Sequence, residues 1–328
     1  MDSRILGHTD RQVGVVGLGC WQLGGDWGSV DDETGMQILR SAADEGITFF
    51  DTADVYGDGR SERLVGRLLR ERGTGDLMVA TKMGRRADPH VAEAYTLEAF
   101  HAWNDRSRAN LGMDTLDLVQ LHCPPPAVYR DDRVFDALAT LVQEQRIRSY
   151  GVSVETVSEA LRAIERPGVA TVQIILNVFR RKPLEAVLPA AQKAGVGIIA
   201  RVPLASGMLS GKYDEHTQFA ADDHRTFNRH GESFDVGETF AGVPFRAGVA
   251  AARDLAAATP PGISTAQAAL RWIIDQPGVS VVIPGARSTE QVKANASAAE
   301  FDPLPAQVSD EFARIYDAQI RQFVHARW

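Results

Sequence analysis

The stretch VGIIARV at residues 196–202 shows the pattern that decides the fold, a short apolar run interrupted only by an arginine near its end. Comparable runs are VVGL, DLVQL, VQIIL and VSVVI. Apolar residues at nearly every position are typical of parallel strands covered on both faces. The pattern predicts eight strands, at Val13–Gly19, Ile47–Phe50, Leu77–Lys82, Leu116–His122, Ile147–Ser153, Val172–Asn177, Val196–Val202 and Val279–Pro284.

Longer amphipathic segments separate these strands, with apolar residues at helical spacing. Eight strand-helix units in roughly 300 residues predict an α/β protein, a closed (β/α)8 TIM barrel with its active site at the C-terminal ends of the strands. Capping-box spacing, which marks helix starts, occurs at Thr156 and Glu159, Ser264 and Gln267, and Ser288 and Gln291.

Two segments depart from this alternation, although residues 1–328 are expected to form a single barrel domain. Residues 1–12 precede the first strand and are predicted to form a hairpin that plugs the bottom of the barrel. Residues 213–244 follow the seventh strand and are polar and aromatic without a clear period. Connections longer than ~15 residues are commonly functional lids, so this loop is predicted to be a lid over the active face.

The composition excludes several classes of protein. Of the 328 residues 44% are hydrophobic, which indicates a globular protein with a large core, and the net charge of −8 argues against nucleic acid as the main partner. No apolar run reaches the ~18 residues of a membrane span, and no signal peptide is evident, so we expect a cytoplasmic protein without a membrane partner. Cys20 and Cys123 are too few for a disulfide framework, and no metal site is expected.

Polar and reactive side chains stand at the predicted strand ends, where barrel enzymes carry their chemistry. Asp51, Tyr56, Lys82 and His122 come from three neighbouring strands and can converge. A lysine ammonium lowers the pKa of a nearby phenol, and an aspartate keeps that lysine charged and oriented. A histidine beside the same point can stabilise negative charge on a carbonyl oxygen. The four residues are therefore predicted to be catalytic, with Tyr56 as the proton donor.

Other interpretations of these residues stay open. Lys82 and Asp51 can form an ordinary ion pair in the barrel mouth, with Tyr56 and His122 as packing residues. Lys82 can also act as a Schiff-base nucleophile, although Asp51 beside it would keep the ammonium protonated. A doubly wound dinucleotide fold is disfavoured, because GLGCWQ at residues 17–22 lacks the third glycine of G-x-G-x-x-G.

The sequence resembles the aldo-keto reductase superfamily over nearly its whole length, both the bacterial-type members and the potassium-channel β-subunits. The similar segments include GLGCWQLGG at residues 17–25, DTADVYGDGRSERLVGRLL at 51–69, ATKMG around Lys82 and LDLVQLHCP around His122. The resemblance implies reduction of an aldehyde or ketone with NADPH, and the reverse oxidation of an alcohol. The residues themselves predict a substrate site at Trp21, Tyr56, His122 and Phe227, since Phe227, Phe234 and Phe240 of the 213–244 segment indicate an apolar or aromatic wall.

Further segments resemble those that bind the cofactor in this family. GVS at residues 151–153 and VQIILN at 172–177 resemble the nicotinamide segments, RVPLASGMLSGKY at 201–213 the pyrophosphate loop, and IPGARSTEQVKAN at 283–295 the adenosine segment. The resemblance implies NADPH or NADP+ as cofactor. The implied contacts are Gly19, Cys20, Trp21, Ser153, Gln173, Asn177, Arg201, Pro203, Leu204, Ser206, Leu209, Lys212, Gly285, Arg287, Gln291 and Asn295.

Two positions depart from the family pattern. Arg201 stands where many relatives have an aromatic residue that stacks on the nicotinamide, and a guanidinium can also stack. Gly285 and Ala286 replace a Lys-Ser pair used near the 2′-phosphate, which leaves Arg287 as the main cation. Since arginine suits bidentate phosphate contacts, NADPH is expected over NADH.

The resemblance also leaves a second function open. A redox sensor or regulatory subunit would bind NADP(H) with little turnover and act through a partner protein. The main prediction is instead a monomer or weak homo-oligomer whose partner is a small-molecule carbonyl substrate.

Overall fold

The computed structural model describes residues 1–25, 27 and 30–328. Eight parallel strands follow one another around a barrel in chain order. The barrel closes between its first and last strands, where Gly17 and Gly19 bond to the chain at residues 282–284. There, Gly17 N–H donates to the Val282 oxygen at 2.8 Å, and Gly19 N–H donates to the Pro284 oxygen at 3.1 Å. The predicted (β/α)8 barrel is confirmed.

Among the described residues, no helix is both long enough and apolar enough to cross a membrane.

The strands of the described residues form a two-stranded hairpin and the barrel that follows it. The strands are β1 (Ser3–Ile5), β2 (Gln12–Gly14), β3 (Leu18–Gly19), β4 (Phe49–Asp51), β5 (Met78–Met83), β6 (Leu116–His122), β7 (Ile147–Ser153), β8 (Val169–Ile175), β9 (Gly197–Arg201) and β10 (Val279–Val282). The helices are α1 (Asp32–Asp44), α2 (Arg60–Arg72), α3 (Leu97–Leu111), α4 (Asp132–Gln143), α5 (Val157–Ile164), α6 (Pro183–Ala194), α7 (His224–Phe227), α8 (Phe245–Ala258), α9 (Thr265–Ile274), α10 (Thr289–Ala296), α11 (Ala306–Ile315) and α12 (Arg321–Val324).

The first predicted strand, Val13–Gly19, is wrong as a single element. Its beginning belongs to β2, which pairs antiparallel with β1, and its end forms β3 of the barrel. Both parts are buried, so one apolar run covers two strands and its pattern does not mark the break. The predicted Val172–Asn177 strand is also shifted, since β8 is Val169–Ile175.

Side chains point into the barrel at alternate positions of each strand, so residues two apart belong to successive layers. Phe49 and Leu118 are fully buried in an apolar lower layer. The residues two positions further along β4 and β6 are Asp51 and Gln120, which lie in a polar upper layer. This layer, at the carboxyl ends of the strands, consists of Asp51, Lys82, Gln120 and Gln173.

The β1–β2 hairpin covers the amino end of the barrel. Leu6 at its tip is fully buried in one apolar cluster with Val13 and the lower barrel layer. Gly7 has φ +52°, and a Cβ there would lie 2.1 Å from the Ala170 oxygen and 2.2 Å from the Gly197 nitrogen. The hairpin backbone therefore lies directly against the strand ends, where a larger residue would not fit.

Helix starts follow the capping pattern with one difference. Thr156 and Ser264 form complete capping boxes with Glu159 and Gln267. Ser288 caps α10 through its side chain, but the Gln291 side chain accepts from Arg287 N–H at 2.8 Å.

Residues 213–244 contain more structure than their sequence pattern indicates. Besides α7, they form short 3-10 turns at Val236–Glu238 and Phe240–Gly242. Asp223 pairs with Trp27, which anchors the segment to the loop after β3.

Replacing Leu6 by alanine should remove the apolar plug from the lower barrel layer. We expect the Leu6→Ala change to lower the free energy of unfolding by about 2–5 kcal/mol, as for other buried leucines. Denaturant unfolding followed by circular dichroism measures this. The matched control is Ile5→Ala, since Ile5 is 60% exposed, and its cost should stay within about 0.5 kcal/mol. Equal costs for the two variants would contradict the plug.

Candidate active site

The centre of the site is a buried ion pair at the carboxyl ends of β4 and β5. Lys82 Nζ donates to Asp51 Oδ1 at 2.5 Å, and both side chains are at most 4% exposed. The other carboxylate oxygen accepts from Gln173 Nε2 at 2.7 Å and from Gln120 Nε2 at 3.2 Å. Lys82 Nζ also donates to the Thr52 carbonyl oxygen at 2.8 Å. Both charges are thus hydrogen-bonded, as burial of an ion pair requires.

Tyr56 follows β4 in a tight turn that brings its phenol to this ion pair. Its Oη lies 3.3 Å from Lys82 Nζ. The turn requires Gly57, because φ is +58° and a Cβ there would lie 2.2 Å from the Gly24 carbonyl oxygen. Trp21 stacks on the phenol ring with an interplanar angle of 19° and 6.1 Å between centroids. The phenol is therefore held beside the ammonium.

The pKa of Tyr56 is set by opposing effects. Burial raises it, as do Asp51 and Glu238, whereas Lys82 lowers it, as expected from the sequence, and the result is a pKa of about 12. Tyr56 is consequently a neutral phenol at physiological pH, the form that can donate a proton.

His122 ends β6 and meets the Tyr56 ring edge-on, with 5.9 Å between centroids. Burial and the Arg85 guanidinium hold the pKa of His122 well below its ordinary value, so the ring is neutral. Arg85 Nη1 lies 3.5 Å from His122 Nε2. Nδ1 has no hydrogen-bond partner among the described residues, so the contacts of the ring do not fix its tautomer. Donation from Nε2 to a carbonyl oxygen requires the tautomer with its proton on Nε2.

A second network of charges lies beside His122, and the sequence analysis missed it. Arg201 Nη2 donates to Glu155 Oε2 at 2.9 Å, and its Nη1 lies 3.7 Å from Glu238 Oε1. Arg85 Nη1 donates to the same Glu238 oxygen at 3.2 Å. Glu238 comes from the 213–244 segment, so this carboxylate joins that segment to the barrel mouth.

These groups adjoin a cleft of about 590 Å³, a size typical of ligand sites. Asp51 and Tyr56 line it directly, whereas Lys82 and His122 contact it through Tyr56. Most of the predicted cofactor residues line this cleft: Gly19, Cys20, Trp21, Gln173, Arg201, Pro203, Leu204, Ser206, Lys212, Gly285, Arg287, Gln291 and Asn295.

Three predicted cofactor residues are absent from the cleft lining in the described part of the chain. Asn177 Nδ2 donates to the Val202 carbonyl oxygen at 2.9 Å, so its amide fixes the chain just after Arg201. Ser153 is 1% exposed, and Leu209 is fully buried in the core between barrel and helices. None of the three side chains is therefore exposed to the cleft in this structure.

Phe227, predicted to contact substrate, likewise lies outside the cleft lining. Its ring packs against Phe234 at 6.2 Å. Phe234 in turn meets the Trp21 ring at 5.7 Å, next to the stacked Tyr56. The sequence pattern of this aperiodic segment does not indicate which phenylalanine faces the mouth.

The cleft also contains residues that the sequence analysis missed, among them Gln22, Trp27, Tyr213 and Arg225. Arg225 Nη1 donates to Tyr213 Oη at 2.6 Å, and its Cζ lies 4.9 Å from the Trp27 ring centroid. These contacts join regions far apart in sequence, so no local motif predicts them.

One end of the cleft is positively charged. Lys212 and Arg287 are exposed there, and neither forms an ion pair within the described residues. The capped N-terminus of α9 contributes Ser264 and Gln267 to the same cleft. Exposed cations and a helix N-terminus suit a phosphorylated ligand.

Comparison with known proteins agrees with this fold. The model of the aldo/keto reductase family matches residues 15–317. Aldo-keto reductase YhdN of Bacillus subtilis is 32% identical over 305 residues, which cover 90% of this chain and 87% of the relative. A probable voltage-gated potassium channel subunit beta of Arabidopsis thaliana is 27% identical, with 93% of each chain covered.

Solved structures with the same fold include other members of this family. The glycerol dehydrogenase of Gluconobacter oxydans superimposes with a TM-score of 0.79 and 29% identity, covering 97% of this chain and 96% of its own. An aldo-keto reductase of Klebsiella pneumoniae in complex with NADPH has a TM-score of 0.72 and 25% identity, with 96% of each chain covered. The chain belongs to the aldo/keto reductase family, a class of NADP(H)-dependent oxidoreductases.

The raised pKa of Tyr56 gives a spectroscopic prediction. Tyr56→Phe should leave the growth of tyrosinate absorbance between about pH 8 and about pH 10.5 unchanged, because a phenol whose pKa is about 12 stays protonated there. The chain has only 6 tyrosines, so loss of one titrating phenol would be resolved. A smaller absorbance change in the variant would show that Tyr56 ionises within this range and would contradict the assignment.

Proposed function

We propose that this protein is an NADPH-dependent reductase that acts on the carbonyl group of an aldehyde or ketone, and that it catalyses the reverse oxidation of the alcohol. The strongest support is the neutral Tyr56 phenol, which lines the cleft and has its Oη 3.3 Å from the buried Lys82 ammonium. This combines a proton donor with a charge that stabilises the resulting phenolate.

The residues of the cleft fit a phosphorylated dinucleotide. Lys212 and Arg287 lie at one end and form no ion pair with any residue that the structure describes, and capped helix N-termini stand beside them. In this proposal Lys212 binds the pyrophosphate, and Arg287 binds the 2′-phosphate. The NADPH complex of the Klebsiella pneumoniae relative supports the choice of cofactor.

When bound, NADPH supplies the hydride that adds to the carbonyl carbon. Tyr56 donates its phenolic proton to the oxygen as negative charge develops there. Lys82 stays charged because, although burial opposes it, Asp51 raises the pKa of the ammonium, which then stabilises the phenolate. His122 orients the carbonyl oxygen from the other side of Tyr56, in the tautomer with its proton on Nε2.

We further propose that residues 213–244 act as a lid over the reacting groups. Phe234 meets Trp21 at the barrel mouth, and Glu238 is held by two arginines of the barrel. Ser206 adds a second attachment, since its Oγ donates to the Glu238 carbonyl oxygen at 3.1 Å and accepts from Phe240 N–H at 3.0 Å. The apolar faces of Trp21 and Phe234 provide the substrate wall.

An alternative function is an NADP(H)-binding redox sensor or regulatory subunit. The observation that favours it is the similarity to the Arabidopsis thaliana potassium channel subunit beta over nearly the whole chain. Turnover separates the two functions, because a sensor would bind NADPH tightly and reduce carbonyls slowly or not at all.

Tyr56→Phe tests the proton donor. The variant cannot donate a proton, so kcat for carbonyl reduction should fall about 10²–10⁴-fold, while the Kd for NADPH measured by fluorescence should change less than about two-fold. Tyr129→Phe is the matched control, because the buried Tyr129 hydroxyl has no hydrogen-bond partner in the described structure. Retention of most of the activity in Tyr56→Phe would exclude Tyr56 as the donor.

Arg287→Ala tests the phosphate assignment. Loss of the guanidinium should weaken NADPH about 10–100-fold and NADH less than about three-fold, since only NADPH carries the 2′-phosphate. Titration of each dinucleotide by fluorescence gives both dissociation constants. Arg253→Ala, which removes an exposed cation outside the cleft lining, should affect neither. Equal losses for NADPH and NADH would refute the assignment.

A further inference from the structure

Arg85 is a charged residue at the reacting groups whose guanidinium is only partly used. Gly84, which follows β5, turns the chain with φ +102°, and a Cβ there would lie 2.7 Å from the Tyr95 ring. This turn brings the Arg85 side chain beside His122, with Nη1 3.5 Å from Nε2. Arg85 therefore flanks the point where His122 and Tyr56 meet.

Some hydrogen-bond donors of Arg85 have no partner among the described residues. Nη1 carries both of its polar contacts, to Glu238 and to His122. Nε and Nη2 have no hydrogen-bond partner among the described residues, and the side chain is 25% exposed. In contrast, Nη2 of Arg201 donates to Glu155, and the Arg201 side chain is only 9% exposed. Of these two arginines, Arg85 is the one with free, accessible donors.

The charges around Arg85 favour an anion. Glu238 is shared between two guanidinium groups, at 3.2 Å from Arg85 and 3.7 Å from Arg201. Burial raises the pKa of Glu155, the other carboxylate of the network, so it does not supply a full negative charge at neutral pH. The Asp51–Lys82 pair adds no net charge. The charges beside His122 therefore leave an excess of positive charge, and Arg85 is the more exposed of the two arginines there.

We propose that Arg85 is a specificity-determining residue that binds a carboxylate next to the reacting carbonyl, so that the preferred substrates are 2-oxo acids. This rests on the proposed reductase function. Because Arg85 Nη1 lies 3.5 Å from His122 Nε2, a carboxylate on the carbon next to a carbonyl held by His122 would come within reach of the guanidinium, which suits carboxylates. The Phe234 ring, 5.7 Å from Arg85 Cζ, covers the guanidinium.

The reaction with such a substrate is balanced without a further reactant. The ketone carbon gains a hydride as NADPH is oxidised to NADP+, and the oxygen gains the Tyr56 proton. The product is a 2-hydroxy acid, and the carboxylate takes no part in bond making. Arg85 acts on binding, so its loss should raise KM for the acid more than it lowers kcat.

The test compares benzoylformate with its uncharged methyl ester as substrates. The ester carbonyl is intrinsically more electrophilic, so the readout is the acid-to-ester ratio of kcat/KM in each variant. Arg85→Met should lower this ratio at least about ten-fold, as expected for loss of hydrogen bonds to a charged group, and Arg85→Lys should restore part of it. Arg86→Met is the matched control, because the neighbouring Arg86 pairs with the exposed Asp58, and its ratio should equal that of the wild type.

A second measurement does not depend on turnover. Benzoate binding to the NADP+ complex, followed by calorimetry, should weaken at least about ten-fold in Arg85→Met. An unchanged acid-to-ester ratio, or unchanged benzoate affinity, would overturn the carboxylate site. Benzoate binding that depends on Arg85, with no carbonyl reduced by any variant, would support the anion site and refute the proposed reductase function.

Discussion

The buried contact between Lys82 and Asp51 is the interaction on which the rest of the site depends. An unpaired charge at this depth would cost several kcal/mol, and breaking such a pair typically costs about 3–5 kcal/mol. The barrel meets this requirement with the amides of Gln120 and Gln173, which both donate to Asp51. The polar upper layer thereby holds the ammonium at one point, and the glycine-dependent turn after β4 brings the Tyr56 phenol to it.

A second set of charges connects the 213–244 segment with the reacting groups. Glu238 of this segment contacts Arg85 and Arg201, which project from the loops and strand ends around His122. The Glu238 carboxylate raises the pKa of Tyr56 and accepts a hydrogen bond from Arg85, which lies beside His122. Glu238 therefore links the attachment of this segment with the protonation of the Tyr56 phenol.

The sequence predicts the barrel, most strand positions and the four central residues, because continuous apolar runs and polar strand ends are local signals. It does not predict where Val13–Gly19 breaks, since both halves are equally buried. The pKa of Tyr56 also depends on burial and on Glu238, far along the chain, so the motif gives the effect of Lys82 but not the final value. The position of Arg85 is not predicted, because its contacts with His122 and Glu238 join distant segments.

The proposed function requires that one cleft bring a dinucleotide to the Tyr56–Lys82–Asp51 cluster. A crystal structure of the protein in complex with NADP+ tests this requirement. We expect the nicotinamide to lie beside Tyr56, the pyrophosphate near Lys212, and the 2′-phosphate on Arg287. A dinucleotide bound in the reverse direction, or outside this cleft, would contradict it.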